Sequence, residues 1–193
     1  MQGIRANQVF WLCIMVLLAA FSRIIPHPHN FTPVGGITLL GGYLMGRRPA
    51  AFFIPLLAMM LSDLVINNIT YPLIYPEYYH GFRLFGSWLV YGTLLLFPPI
   101  AWIVLQRFSY PRLALAGLFT ASLFFVTTNF GSWVGSNIYP QDIGGLMACY
   151  AAGLPFFQNT LLGDVCYSFA LFGISHAFGF ISRRNTETNQ VLS

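Results

Sequence analysis

Two histidines one residue apart, followed by an asparagine, interrupt an apolar region in the stretch Ile25-Pro26-His27-Pro28-His29-Asn30-Phe31-Thr32-Pro33-Val34-Gly35-Gly36. Imidazole nitrogens at this spacing can ligate a transition metal. Zinc takes four donors, however, so His27 and His29 need further ligands, and His80 or Asp63 are the candidates from elsewhere in the chain. Cobalt held by a histidine belongs to the same chemistry. The alternative is mechanical: Pro26, Pro28 and Pro33 fix φ and remove backbone donors, which suits a stiff connector or the rim of a pocket. Both readings stay open at this stage.

Two carboxylates carry the other chemistry, Asp63 in Met-Met-Leu-Ser-Asp-Leu-Val-Ile-Asn-Asn and Asp164 in Asn-Thr-Leu-Leu-Gly-Asp-Val-Cys-Tyr-Ser. Each sits inside an apolar run. What positions them follows from composition: 56% of the 193 residues are hydrophobic and 7% are charged, with a mean hydropathy of +0.67. Soluble domains carry about 25% charged residues, so the expected solvent is a bilayer. The net charge of +4 then reports topology rather than nucleic-acid binding.

A spanning helix needs about 20 mostly apolar residues. Six candidates appear, at about 7–25, 34–46, 50–68, 84–106, 113–131 and 155–181. The second is short and rich in glycine, including Gly42 and Gly46 at a spacing that lets helices approach closely in lipid. The segment 141–153 is too short to span and is expected to lie as a half-helix at one surface. The first segment has no small-residue cleavage site and reads as a membrane helix rather than a signal peptide. With the N-terminus in the cytoplasm, seven of the nine arginines fall inside and only Arg23 and Arg83 outside. The expected fold is therefore an all-α membrane protein, a six-transmembrane-helix bundle with both termini cytoplasmic. One domain covers 1–182, and a polar cytoplasmic tail follows at 183–193. Cys13, Cys149 and Cys166 lie in apolar stretches with no paired spacing and read as packing residues.

A charge at bilayer depth costs roughly 2.5–3.5 kcal/mol on insertion scales, so Asp63 and Asp164 are expected to face the bundle interior and to be partnered. Under this topology both lie in the outer halves of their spans. Asn67, Asn68, Thr127, Thr128, Asn129, Gln158, Asn159 and Thr160 crowd the same end. Polar groups that merely tie helices together can sit at any depth; a collective skew points to a recess open to the outside. Asp63, Asp164, Asn30, Asn129 and Asn159 are the expected lining. The aromatic loop 69–83, with Tyr78 and His80, is the expected cover. No GxSxG, HExxH or phosphate-binding loop is present, so the chain does not read as an enzyme, and no cofactor is specified. A weak internal echo pairs Asn30-Phe31 and Val34-Gly35 with Asn129-Phe130 and Val134-Gly135, the start of a decayed repeat of the transporter kind.

The run from Arg23 to Pro33, with Asn30-Phe31 inside it, is followed by Leu61-Ser62-Asp63-Leu64. Pro155-Phe156-Phe157-Gln158-Asn159-Thr160-Leu161-Leu162-Gly163-Asp164 closes the pattern. It resembles a family of small bacterial membrane proteins of unassigned function. That family is in turn similar to the S components of energy-coupling-factor (ECF) transporters. The resemblance implies capture of a small molecule, a vitamin such as cobalamin or a metal ion, from the outer side of the bacterial inner membrane. The partners it implies are a small-molecule substrate, the lipid bilayer and an energising transporter module or other membrane subunits. A non-catalytic accessory subunit of a larger membrane complex is the alternative expectation.

Overall fold

The structure, a computed structural model, describes residues 6–25, 28–135 and 137–181. Helices account for most of them, and no strand occurs among the described residues. In chain order they are α1 (Ala6–Ser22), α2 (Val34–Met45), α3 (Ala50–Val65), α4 (Tyr71–Ile74), α5 (Trp88–Leu94), α6 (Phe97–Val104), α7 (Tyr110–Val134) and α8 (Ile143–Ala177). A π-helical turn, Ile66–Thr70, joins α3 to α4 without a break. The continuous helix Ala50–Ile74 and α7 are each long and apolar enough to cross a membrane.

Helix ends follow from local chemistry. Asp142 caps α8 by accepting the Gly145 N–H at 2.7 Å, and Ser109 caps α7 by accepting the Arg112 N–H at 3.4 Å. α2 stops at Gly46, whose φ of 61° is open to glycine and costly for other residues.

Three expected boundaries move. The span 84–106 is two helices, because Pro98 lacks an N–H and its ring crowds the carbonyl of Leu94, so the chain breaks at Leu95-Leu96. The half-helix 141–153 is the first part of the 35-residue α8, which runs on through Pro155. Asn68 does not end the third span; the π-turn carries the helix on to Ile74. The internal echo is not kept in the backbone either. Asn30 sits in a turn with φ 64°, whereas Asn129 is helical. The tail 183–193 lies outside the described residues.

α2 is the centre. It packs against α1, α3, α6, α7 and α8, and every residue in it except Leu44 is buried. Its glycines make this approach: a Cβ on Gly42 would stand 2.9 Å from Pro98 Cα, and one on Gly36 would stand 2.9 Å from Ser168 N. The far end of α2 meets a dry aromatic cluster, in which Tyr43 and Phe172 lie 5.6 Å apart and Phe108 stacks on Phe172 at 5.5 Å. The outward faces of α3 and α7 are apolar, with Phe53, Leu57 and Leu61 on one and Leu115, Leu118, Phe119 and Val126 on the other all exposed.

Candidate functional site

Polar side chains gather at the opposite end from the aromatic cluster, where α2 begins. Asp63, on the last turn of α3, is buried and fully engaged. Arg23, just beyond α1, places Nη1 3.0 Å from Asp63 Oδ1 and also hydrogen-bonds Ser62 Oγ. The other oxygen, Oδ2, accepts the Tyr91 hydroxyl at 2.8 Å and the Gly86 N–H at 3.0 Å. This cluster ties α1, α3, α5 and the loop before α5 together. Side-chain exposure of 17% for Arg23 and 7% for Asp63 leaves little water to screen the pair.

Asp164 is placed differently. It is 4% exposed, at the middle of α8, where its Oδ2 accepts the Thr120 hydroxyl of α7 at 2.8 Å. Gly35 of α2 faces it so closely that a Cβ there would overlap the carboxylate. No cation pairs with Asp164 among the described residues.

Asp164 and Arg23, the partner of Asp63, both line a cavity of about 160 Å³. Arg23, Asn30, Thr32, Thr160 and Asp164 supply its polar lining; Met59, Leu94, Phe97 and Phe124 are among its apolar walls. Asp63 does not line the cavity. It acts through Arg23, which does. The turn at 28–32 lies at the cavity: Asn30, in the left-handed region that asparagine tolerates, turns the chain, with the Phe31 N–H donating to Pro28 O at 3.0 Å. The turn rests on Gly163 of α8, where a Cβ would stand 3.1 Å from Thr32 N.

The remaining expected residues lie elsewhere. Asn129 donates to Phe125 O at 2.8 Å and packs over Gly153 in the contact of α7 with α8, outside the cavity. Asn159 is half-buried on α8 and does not line it. Tyr78 is 73% exposed, and His80 is exposed with Nε2 3.1 Å from Glu77 O. The loop that carries both is clamped by Asn68, which donates to Arg83 O and accepts the Arg83 N–H, each at 2.8 Å. His29 is exposed, edge-on to Phe156 at 5.9 Å, and His27 lies outside the described residues. No three His, Cys, Asp or Glu side chains come together as a metal-ligand set among the described residues.

Arg23, Thr32 and the apolar walls were not expected from the sequence. Arg23 did leave a signal. In the topology expected from the sequence it is one of only two arginines placed on the outer side, which asks for a local reason. No curated protein and no solved structure is similar enough to match the chain. A family model, that of a family of unknown function (DUF6580), matches residues 4–187, and the chain belongs to that family.

Proposed function

We propose that this chain is a multi-pass protein of the bacterial inner membrane with six spans and cytoplasmic termini, a binding protein of the S-component type that captures a small molecule from the outer side. The observation that carries this reading is the cavity of about 160 Å³, lined by Arg23, Asn30 and Asp164 together with apolar side chains. Concave, mostly apolar sites with a few convergent polar groups are the usual form of a small-molecule site. The apolar outer faces of α3 and α7 support the bilayer setting, since soluble surfaces rarely expose such contiguous apolar area.

The volume narrows the substrate. A cavity of about 150 Å³ holds a benzene-sized molecule, so a ring-sized ligand fits here, while a corrinoid requires the walls to move apart. Asn30 and Thr32 line the cavity from the turn that follows α1, which makes this turn the proposed side of entry.

Two measurements test the reading. Single cysteines at Tyr78 and Arg107, in a background lacking Cys13, Cys149 and Cys166, are labelled in intact cells by a membrane-impermeant maleimide. Labelling at 78 and not at 107 is expected, and the reverse pattern removes the outward-facing site. Native mass spectrometry of protein purified in mild detergent then reads bound mass. Retention of a small molecule, lost on Leu94→Trp, is expected; a stoichiometric protein partner with an empty cavity favours the accessory-subunit alternative.

A further inference from the structure

We infer that the cavity takes a small organic monocation, a protonated amine on an apolar body of about one ring, with Asp164 as its counter-ion. This inference rests on the binding-protein reading above and names the ligand class of the same site. Charge complementarity carries it. The charged side chains lining the cavity are Arg23 and Asp164. Arg23 is already matched by Asp63 at 3.0 Å, whereas Asp164 has no cation near it among the described residues.

Around Asp164 the lining is also biased toward acceptors. The Thr160 hydroxyl donates to Phe156 O at 2.9 Å, and this leaves its lone pairs free to accept. Asp164 Oδ2 takes the Thr120 hydroxyl, and Oδ1 has no hydrogen-bonding partner among the described residues while Asp164 lines the cavity. Beside Asp164 a ligand N–H donor finds acceptors, whereas a carboxylate placed there meets a like charge, and Arg23 is already matched by Asp63. Phe97 and Phe124 on the wall add aromatic surface, which accepts an apolar body and can favour a cation. Gly35 is integral to the design, because any side chain there would fill the space the Asp164 carboxylate occupies.

The test uses full-length protein in mild detergent near neutral pH, with benzylamine, benzyl alcohol and benzoate as probes of one shape and three charges. Saturation-transfer NMR and thermal shift report binding, and only binding abolished by the cavity-filling Leu94→Trp is counted. Benzylammonium is expected to bind at least about tenfold more tightly than the alcohol, the ratio given by the weak end of a hydrogen bond to a charged group. Asp164→Asn is expected to remove that preference while keeping the alcohol bound. Equal or tighter binding of the alcohol or of benzoate overturns the ligand class and leaves the binding-protein reading intact. So does an Asp164→Asn variant that holds the amine as wild type does. Failure of all three probes to occupy the cavity overturns both. If Asp164→Asn does not fold, the three probes on the wild-type protein decide the matter.

Discussion

Replacing Asp63 by alanine removes the acceptor on which Arg23, Tyr91 and Gly86 converge. The guanidinium is left with Ser62 Oγ and the distant Met59 O at 3.5 Å, and the Tyr91 hydroxyl and Gly86 N–H lose their acceptor. Breaking a buried ion pair from one side costs about 3–5 kcal/mol, mainly because the surviving charge has no counter-charge. For a chain of this size that corresponds to roughly 6–20 °C in Tm. Asparagine falls between. All three partners donate, and a carboxamide offers one acceptor oxygen, so one side of the cluster must face an NH₂ group. Replacing both charges, Arg23→Met with Asp63→Leu, restores most of the loss because no unpaired charge remains. Thermal unfolding in mild detergent, followed by size-exclusion fluorescence, measures each variant. An Asp63→Ala protein that melts within about 2 °C of wild type would refute the reasoning. Were Asp63 a free ligand-binding carboxylate, the same change would abolish binding and leave the melting curve in place.

Thr120→Val deprives Asp164 of its hydroxyl donor and should lower stability by about 1–3 kcal/mol, read as a shift in the same melting assay. Gly42→Ala presses a methyl onto the Pro98 backbone and should cost about 1–3 kcal/mol. Gly92→Ala, with nothing within 4 Å of the new Cβ, should instead stabilise by up to about 1 kcal/mol. The contrast between these two glycines is the check. Phe172→Ala opens the dry cluster beneath Tyr43 and should destabilise by about 3–5 kcal/mol without changing ligand preference.

The burial of Asp63 and Asp164 was readable from the cost of a charge in an apolar run, and both are buried. Their partners were not readable. Arg23 is 40 residues from Asp63, and Thr120 is 44 from Asp164; only helix packing brings either pair together. The short glycine-rich helix was anticipated from its composition, but its central place follows from five neighbours that no local pattern reveals. Pro98 is followed by Pro99, whereas Pro155 stands alone. The pair lies in the first turn of α6, just after the break, and the lone proline is carried within α8, so a proline in an apolar run marks a break only in some settings. The polar skew toward one end was visible, yet Asn129 spends its side chain on its own helix whereas Asn30 reaches the cavity from a left-handed turn, distinctions that depend on backbone geometry.

The enclosure of α2 bears on how the protein is made. At 12 residues the segment extends only about 18 Å, too little to hold itself across a bilayer of about 30 Å. Among its packing neighbours is α8, the last helix described along the chain, so during synthesis the second helix waits for the last before its seat is complete. Nascent chains arrested before residue 143 should therefore leave that segment open to protease or chaperone, and release of the full chain should close it.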